Sequence, residues 1–502
     1  MVHFPEYITY NLVLTRGFAR KLVLKYYRDE QIGRVGFVKP IAGKAGLWML
    51  AWPIFIEIFL QTLLGTVDTV MVSRISDDAV AVVGISNQLF GALITLFTTL
   101  AGGAGILIAQ RLGSGRTEEA RTIAIMGVTS SSLMGVGVSI LLLLYSDPIA
   151  RMLNISSELL PLAHVYLTYV GGSLFMMGLT VSLGSAIRNT GNTRGPMYTG
   201  VAVNVIHIVL NYILIFGVFG LPELGLGGIA LSNMISRLLG VGILLYMFTR
   251  SFEHTVRLRD FRIFKRKLFG EIVRISWPLG LNSSSWVVSQ LVVYSFLAML
   301  GAKELAARTY LNTLESFCFT LGYAVAMAGQ IQLAHLFGAG KTKEVYRGAY
   351  RTLYIGLAIV GANVLLLFLF GRTLLGFFTK DEAIISIGVS LLALNLLLQP
   401  CKMLNMAMGN SLNAIGDTRY TMYVSIFSMS LIGVGCSYWL GIGAGWGLTG
   451  IYCCMIADEA TRGLLVLLRW RKRKVLRKVE EQAEAQQPVL SEPFSGTLFM
   501  ES

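Results

Sequence analysis

The side chains able to do chemistry in this chain are few, and they stand where they are costly. Glu57, Gln61 and Asp68 lie inside the stretch GLWMLAWPIFIEIFLQTLLGTVDTVMVSR, residues 46–74. That stretch is long enough to cross a bilayer, which takes about 20 residues. A carboxylate at the centre of such a helix costs roughly 2.5–3.5 kcal/mol on insertion scales. At 100° per residue, Gln61 lies about 40° and Asp68 about 20° from Glu57. One narrow stripe carries all three, so the helix turns it toward protein or a water-filled cavity. Carboxyl groups placed there suit reversible binding of a cation or proton. Each also has a structural alternative: Asp68 as a hydrated residue near the outer interface, Glu57 as a buried hydrogen-bonding group.

Other polar residues recur at helical spacing in apolar surroundings. Asn204, His207 and Asn211 fall at i, i+3, i+7, either as hydrogen-bonded core or as cavity lining. In the second half, Asn282, Ser285 and Ser289 share a face, and Asn312 and Glu315 are i, i+3 neighbours. Asn395, Gln399, Lys402 and Asn405 follow, then Asp458 and Glu459. At about 1.5 Å per residue, Lys402 lies roughly 20 Å from Gly416 and Asp458 roughly 17 Å from Arg469. The matched depths predict a Lys402–Asp458 ion pair, with Glu315 nearer the outer side.

Composition says what kind of molecule positions these groups. The chain has 502 residues, 54% of them hydrophobic and 14% charged, with a mean hydropathy of +0.64. Soluble domains carry about 25% charge. This pattern describes an all-α polytopic membrane protein, because every backbone polar group in lipid must be satisfied within its own segment. The 54 glycines fit helices that approach closely. The five cysteines show no CxxC spacing and have no partnering histidine cluster, so we expect no disulfide framework, metal site or cofactor. The net charge of +14 sits in short connections and near the ends, a positive-inside pattern and not a nucleic-acid surface.

Twelve apolar runs lie near 46–73, 80–110, 121–146, 160–188, 197–220, 226–249, 270–300, 305–337, 346–370, 384–414, 420–441 and 446–470. Lysine and arginine concentrate in alternate connections, which predicts cytoplasmic termini. We expect a basic cytoplasmic N-terminal extension (1–45) without a cleavable signal, an N-lobe (46–249), a cytoplasmic linker (250–269), a C-lobe (270–470) and a basic then polar, disordered cytoplasmic tail (471–502).

The two halves repeat. Adding 225 carries Trp52-Pro53 onto Trp277-Pro278, Asn87 onto Asn312, Gly113 and Gly115 onto Gly338 and Gly340, and GNTRGPMY (191–198) onto GDTRYTMY (416–423). GLGGI (225–229) then matches GLTGI (447–451) after a three-residue shortening. Six runs per copy give both copies one orientation, a parallel repeat about the membrane normal with a cleft between two six-helix lobes. The charges break the repeat: Glu57 corresponds to Asn282, Gln61 to Trp286, Asp68 to Val293, and Phe90 to Glu315. The repeated Gly-x-Gly-[Arg/Lys]-Thr pieces follow no strand and read as helix–helix turns, not phosphate loops.

Trp52-Pro53, LLGTVDTVMVS (63–73), LGSGRTEEA (112–120), AIRNTGNTRGPMY (186–198) and NYILIFGVFGLPELGLGGIALS (211–232) together resemble the multidrug and toxic compound extrusion (MATE) family, in a bacterial branch. The resemblance covers about 45–470. It implies export of organic, cationic amphipathic compounds by alternating access, coupled to entry of a proton or Na⁺, in the plasma membrane and by a monomer. It places the family's first-helix acid on Asp68 and its helix-bending proline on Pro53, with Pro278 the repeat's second hinge. The family's fifth-helix Asn-x-x-x-Asp/Asn pattern falls on His207 and Asn211, a departure at both positions. The acid of the seventh helix falls near Trp286, where no acid stands. We therefore expect ion coupling at Asp68 with Glu57, Gln61 and Glu315. We expect a substrate cavity lined by Asn87, His207, Asn211, Asn282, Asn312 and Ser289. The alternatives are a flippase or exporter of a lipid-linked or other amphiphilic metabolite, which calls for a cationic cavity, and a membrane-embedded enzyme. The latter needs a nucleophile–base pair or metal motif, and no HExxH or GxSxG occurs.

Overall fold

The computed structural model describes residues 44–153, 155–217, 223–472, 476, 477 and 481. The expected N-terminal extension and tail lie almost wholly outside them. Among the described residues the chain is helical throughout. The N-lobe comprises α1 (Lys44–Ser73), α2 (Asp77–Gly113), α3 (Thr117–Leu144), a short α4 (Ser146–Met152), α5 (Leu160–Gly172), α6 (Leu174–Asn189), α7 (Arg194–Phe216) and α8 (Gly225–Thr249). A 3-10 turn, Leu258–Arg262, precedes the C-lobe. That lobe comprises α9 (Arg266–Leu300), α10 (Ala302–Gly338), α11 (Thr342–Gly376), α12 (Glu382–Ala414), α13 (Thr418–Ser428) and α14 (Gly447–Arg471).

These are two six-span lobes. Ser173 divides the fourth span into α5 and α6. The eleventh begins as α13 and continues as π-helix over Met429–Cys436 and Trp439–Gly443. Eleven spans among the described residues are apolar enough to cross a membrane outright. The twelfth, α14, spends that hydropathy on Asp458, Glu459 and Arg462, all buried. Pro53 lies inside α1 and Pro278 inside α9, each removing one backbone donor from a continuous helix.

The turns explain the repeated glycines. Gly115 and Gly340 have φ of 73° and 71°, and Gly191 and Gly416 have φ of 96° and 85°. These are left-handed positions that a Cβ disfavours, so the Gly-x-Gly pieces are helix turns.

The lobes meet through α1 against α10 and α2 against α9 and α10, a pseudo-symmetric set. At the end bearing the positive connections the fit is tight. A Cβ on Gly113 would collide with the His335 carbonyl oxygen, and one on Gly338 with that of Gln110. Gln110 Nε2 donates to the Ala414 carbonyl at 2.7 Å, and His335 Nε2 donates to the Asn189 carbonyl at 2.8 Å. Each residue of one bond is the 225-offset counterpart of its equivalent in the other, so one latch occurs twice. Arg111 reaches Glu271 across the same seam at 2.5 Å. The opposite end of these four helices carries exposed polar side chains. There Gln61, Thr62 and Thr66 on α1, Asn87 and Gln88 on α2, Ser284 on α9, and Thr309, Asn312 and Thr313 on α10 are exposed. Uncharged polar groups at that depth belong in a wet cleft, not against lipid.

Candidate functional site

The first site joins α1 to α7. Asp68 Oδ1 accepts from Asn211 Nδ2 at 2.8 Å and lies 3.0 Å from His207 Nε2. His207 and Asn211 are 2% and 0% exposed, whereas the Asp68 side chain is 25% exposed. Behind the imidazole, Ser232 Oγ donates to the His207 carbonyl at 3.1 Å and stands 3.2 Å from Nδ1. His207 Nε2 also lies 3.0 Å from Asn211 Nδ2, so the imidazole, the amide and the carboxylate form one closed triangle of contacts. Tyr166 and Arg237 lie within electrostatic range of the carboxylate. His207 and Asn211 were expected as cavity lining; their burial makes them partners of Asp68.

Glu57 does not join Asp68. Its Oε1 takes Arg188 Nη1 at 2.7 Å, both side chains nearly buried at 11% and 12%. Arg188 reads from sequence as a connection charge, yet it ends α6 and points inward to α1. Gln61 is exposed and belongs to neither ion pair. Among the cavity candidates, Asn87 on α2 and Asn312 on α10 are exposed, and Asn282 and Ser289 are partly buried on α9.

In the C-lobe the expected Lys402–Asp458 pair does not form. Lys402 Nζ lies 3.7 Å from Glu315 Oε2, and Asp458 Oδ2 takes Arg462 Nη2 at 2.6 Å. Equal depth left the direction around the helix axis open, and a nearer cation one turn along α14 serves Asp458. Glu315 is enclosed. Arg308 Nη1 stands 3.0 Å from both its oxygens, and Tyr452 and Asn395 donate to Oε1 at 3.0 and 2.9 Å. Arg308 lies two turns before Glu315 on α10. Its spacing of seven was the signal that sequence reading passed over. A second cluster joins α14 to α12 and α13: Arg462 holds Asp458 and Glu459, Ser428 donates to Asp458 at 2.6 Å, and Asn405 donates to Glu459 at 2.9 Å. Ser428 immediately precedes the π-helix.

The five cysteines are free, and no group of three metal-ligating side chains occurs among the described residues.

Comparison with known proteins agrees with this architecture. The MatE family matches residues 53–213 and 278–439, one segment in each lobe. The uncharacterized transporter YisQ of Bacillus subtilis is 32% identical over 435 residues, covering 87% of this chain and 96% of that protein. The probable multidrug resistance protein NorM of Thermotoga maritima is 28% identical over 433 residues, covering 85% and 93%. Among solved structures, a multidrug resistance MATE family transporter of the MOP superfamily in an outward-facing conformation superposes with a TM-score of 0.81. It is 21% identical, with 89% of this chain and 100% of that one covered. A MOP superfamily transporter from Pyrococcus furiosus gives 0.80 at 22% identity, covering 89% and 99%. With matched segments in both lobes and relatives named as transporters along nearly their whole length, this chain belongs to the MATE family of multi-pass membrane transporters.

Proposed function

We propose that this chain is a monomeric plasma-membrane antiporter that exports organic cationic amphiphiles in exchange for protons, with both termini cytoplasmic. The observation that carries the reading is the three-residue junction at Asp68. One carboxylate oxygen ties α1 to α7 through His207 and Asn211, and the side chain keeps a quarter of its surface open. Both protein contacts to Asp68 Oδ1 come from nitrogens, which suits a proton better than Na⁺, whose usual ligands are oxygens. Proton uptake weakens the carboxylate as an acceptor. It thereby loosens α1 from α7 next to the cleft and couples proton entry to substrate release. The cleft walls present hydroxyls and amides between apolar side chains, a surface for amphipathic cations and a poor one for a pyrophosphate-linked cargo.

The test is uptake of a labelled cationic dye into vesicles containing the purified protein, under separately imposed proton and Na⁺ gradients. A proton gradient drives transport, and Asp68→Asn abolishes it while membrane insertion is unchanged. Dye export by Asp68→Asn at the parent rate would sink the assignment, and dependence on Na⁺ alone would replace the ion.

A further inference from the structure

A groove of about 500 Å³ runs along the outer face of α11, lined by Tyr346, Arg347, Tyr350, Arg351, Tyr354 and, deeper, Ile355 and Ala358. Nothing in the transport reading uses it. The tyrosines recur at i, i+4, i+8 and form a ladder of ring contacts, Tyr346 edge-on to Tyr350 at 5.2 Å between centroids and Tyr350 tilted against Tyr354 at 6.3 Å. The ladder is fixed at one end by Trp470 of α14, whose ring lies parallel to Tyr346 at 6.3 Å and 7°. Arg347 and Arg351 stand one turn apart, and neither makes an ion pair among the described residues. The nearby Glu344 is taken by Lys341 at 3.4 Å. Arg471 interacts with the Tyr350 hydroxyl and adds a third cation.

Position determines what such a groove can hold. It starts one turn into α11, at the end carrying the positive connections. From Tyr346 to Ala358 it descends about 18 Å toward the hydrocarbon. The upper part offers guanidinium groups and tyrosine hydroxyls, and the lower part offers apolar surface open to lipid. Arginine recognises phosphate by paired donors, and basic pockets at this level of membrane proteins suit anionic headgroups. We propose that this groove binds the headgroup of an anionic phospholipid, its phosphodiester on Arg347 and Arg351 and one acyl chain along Tyr354, Ile355 and Ala358.

The test uses the full chain in mild detergent, with phosphatidylglycerol, phosphatidylcholine or inorganic phosphate added, and reads bound lipid by native mass spectrometry together with the melting temperature. Phosphatidylglycerol alone is expected to bind and to raise the melting temperature. The double variant Arg347→Gln, Arg351→Gln is expected to bind it roughly 30-fold more weakly, from the surface contribution of two basic side chains. Arg347→Lys with Arg351→Lys is expected to recover part of the binding, the share owed to charge and not to paired donors, and so separates charge from folding. Equal binding of phosphatidylcholine, an equal response to inorganic phosphate, or full phosphatidylglycerol binding by the glutamine variant would each overturn the proposal.

Discussion

Burial separates the charged residues of this chain into enclosed pairs and partly open groups. Glu315, 3% exposed, is surrounded by Arg308, Lys402, Tyr452 and Asn395. Removing one partner of a buried pair costs about 3–5 kcal/mol because the other charge is left uncompensated. Arg308→Met is therefore expected to lower the melting temperature sharply. Arg308→Met with Glu315→Leu is expected to recover most of the loss; a double variant no more stable than the single would remove the pair from the fold's stability. Asp68 is the opposite case, partly open and held by an imidazole, His207, and an amide, Asn211. His207→Gln keeps a donor for Asp68 but cannot take up a proton. Transport measured from about pH 5 to 8 is expected to change its pH profile, whereas an unchanged profile would make His207 a positioning residue. The helical spacing of His207 and Asn211 was readable, as was the stripe of Asp68. Their convergence was not, because periodicity gives a face and no neighbour. The same limit produced the mistaken Lys402–Asp458 pair and left Arg188 among the loop charges.

Among elements, the ends of α2 and α10 carry the clearest logic. The bare Cα of Gly113 and of Gly338 lets each helix pass against a carbonyl of the other, and a methyl group would force them apart. Gly338→Ala is expected to loosen this end. It should raise the labelling rate of a single cysteine placed as Ala414→Cys, a position 0% exposed in this state; an unchanged rate would show that the glycine contact does not hold the end closed. At the other end, Asp381 caps α12 by accepting from the Ala383 amide at 2.9 Å and pairs with Lys303 at 3.0 Å. The Lys303 ammonium and that amide hold its carboxyl below the ordinary aspartate range. A depressed carboxyl stabilises above its unfolded value and loses that contribution as pH falls through the folded one. Asp381→Asn is expected to flatten the acid limb of the melting temperature measured against pH, and an unaltered limb would exclude the cap. The helices themselves were legible, since hydropathy and left-handed glycines mark spans and turns. The π-helix after Ser428 was not, because a one-residue change of winding leaves the apolar pattern nearly intact.

As a whole the molecule is a symmetric frame with asymmetric charge. The frame was legible from the constant offset of 225, which the latch bonds and turn glycines obey. The charges were legible as breaks in that offset, but their partners were not, because an ion pair joins positions the repeat does not relate. Glu57 and Arg188 illustrate this: their counterparts are Asn282 and Asn413, so the N-lobe alone carries an ion pair there. Exchanging the two, Glu57→Arg with Arg188→Glu, is expected to restore transport lost in either single variant; failure of the exchange would give one of them a separate role. The paired latch sets a scale for the entire cycle. Its two hydrogen bonds, at about 1 kcal/mol each, contribute roughly 30-fold in favour of the sealed state, beside the Arg111–Glu271 pair on the same seam. A contribution of that size can be offset by the differential affinity of a single ligand or proton for the opened state.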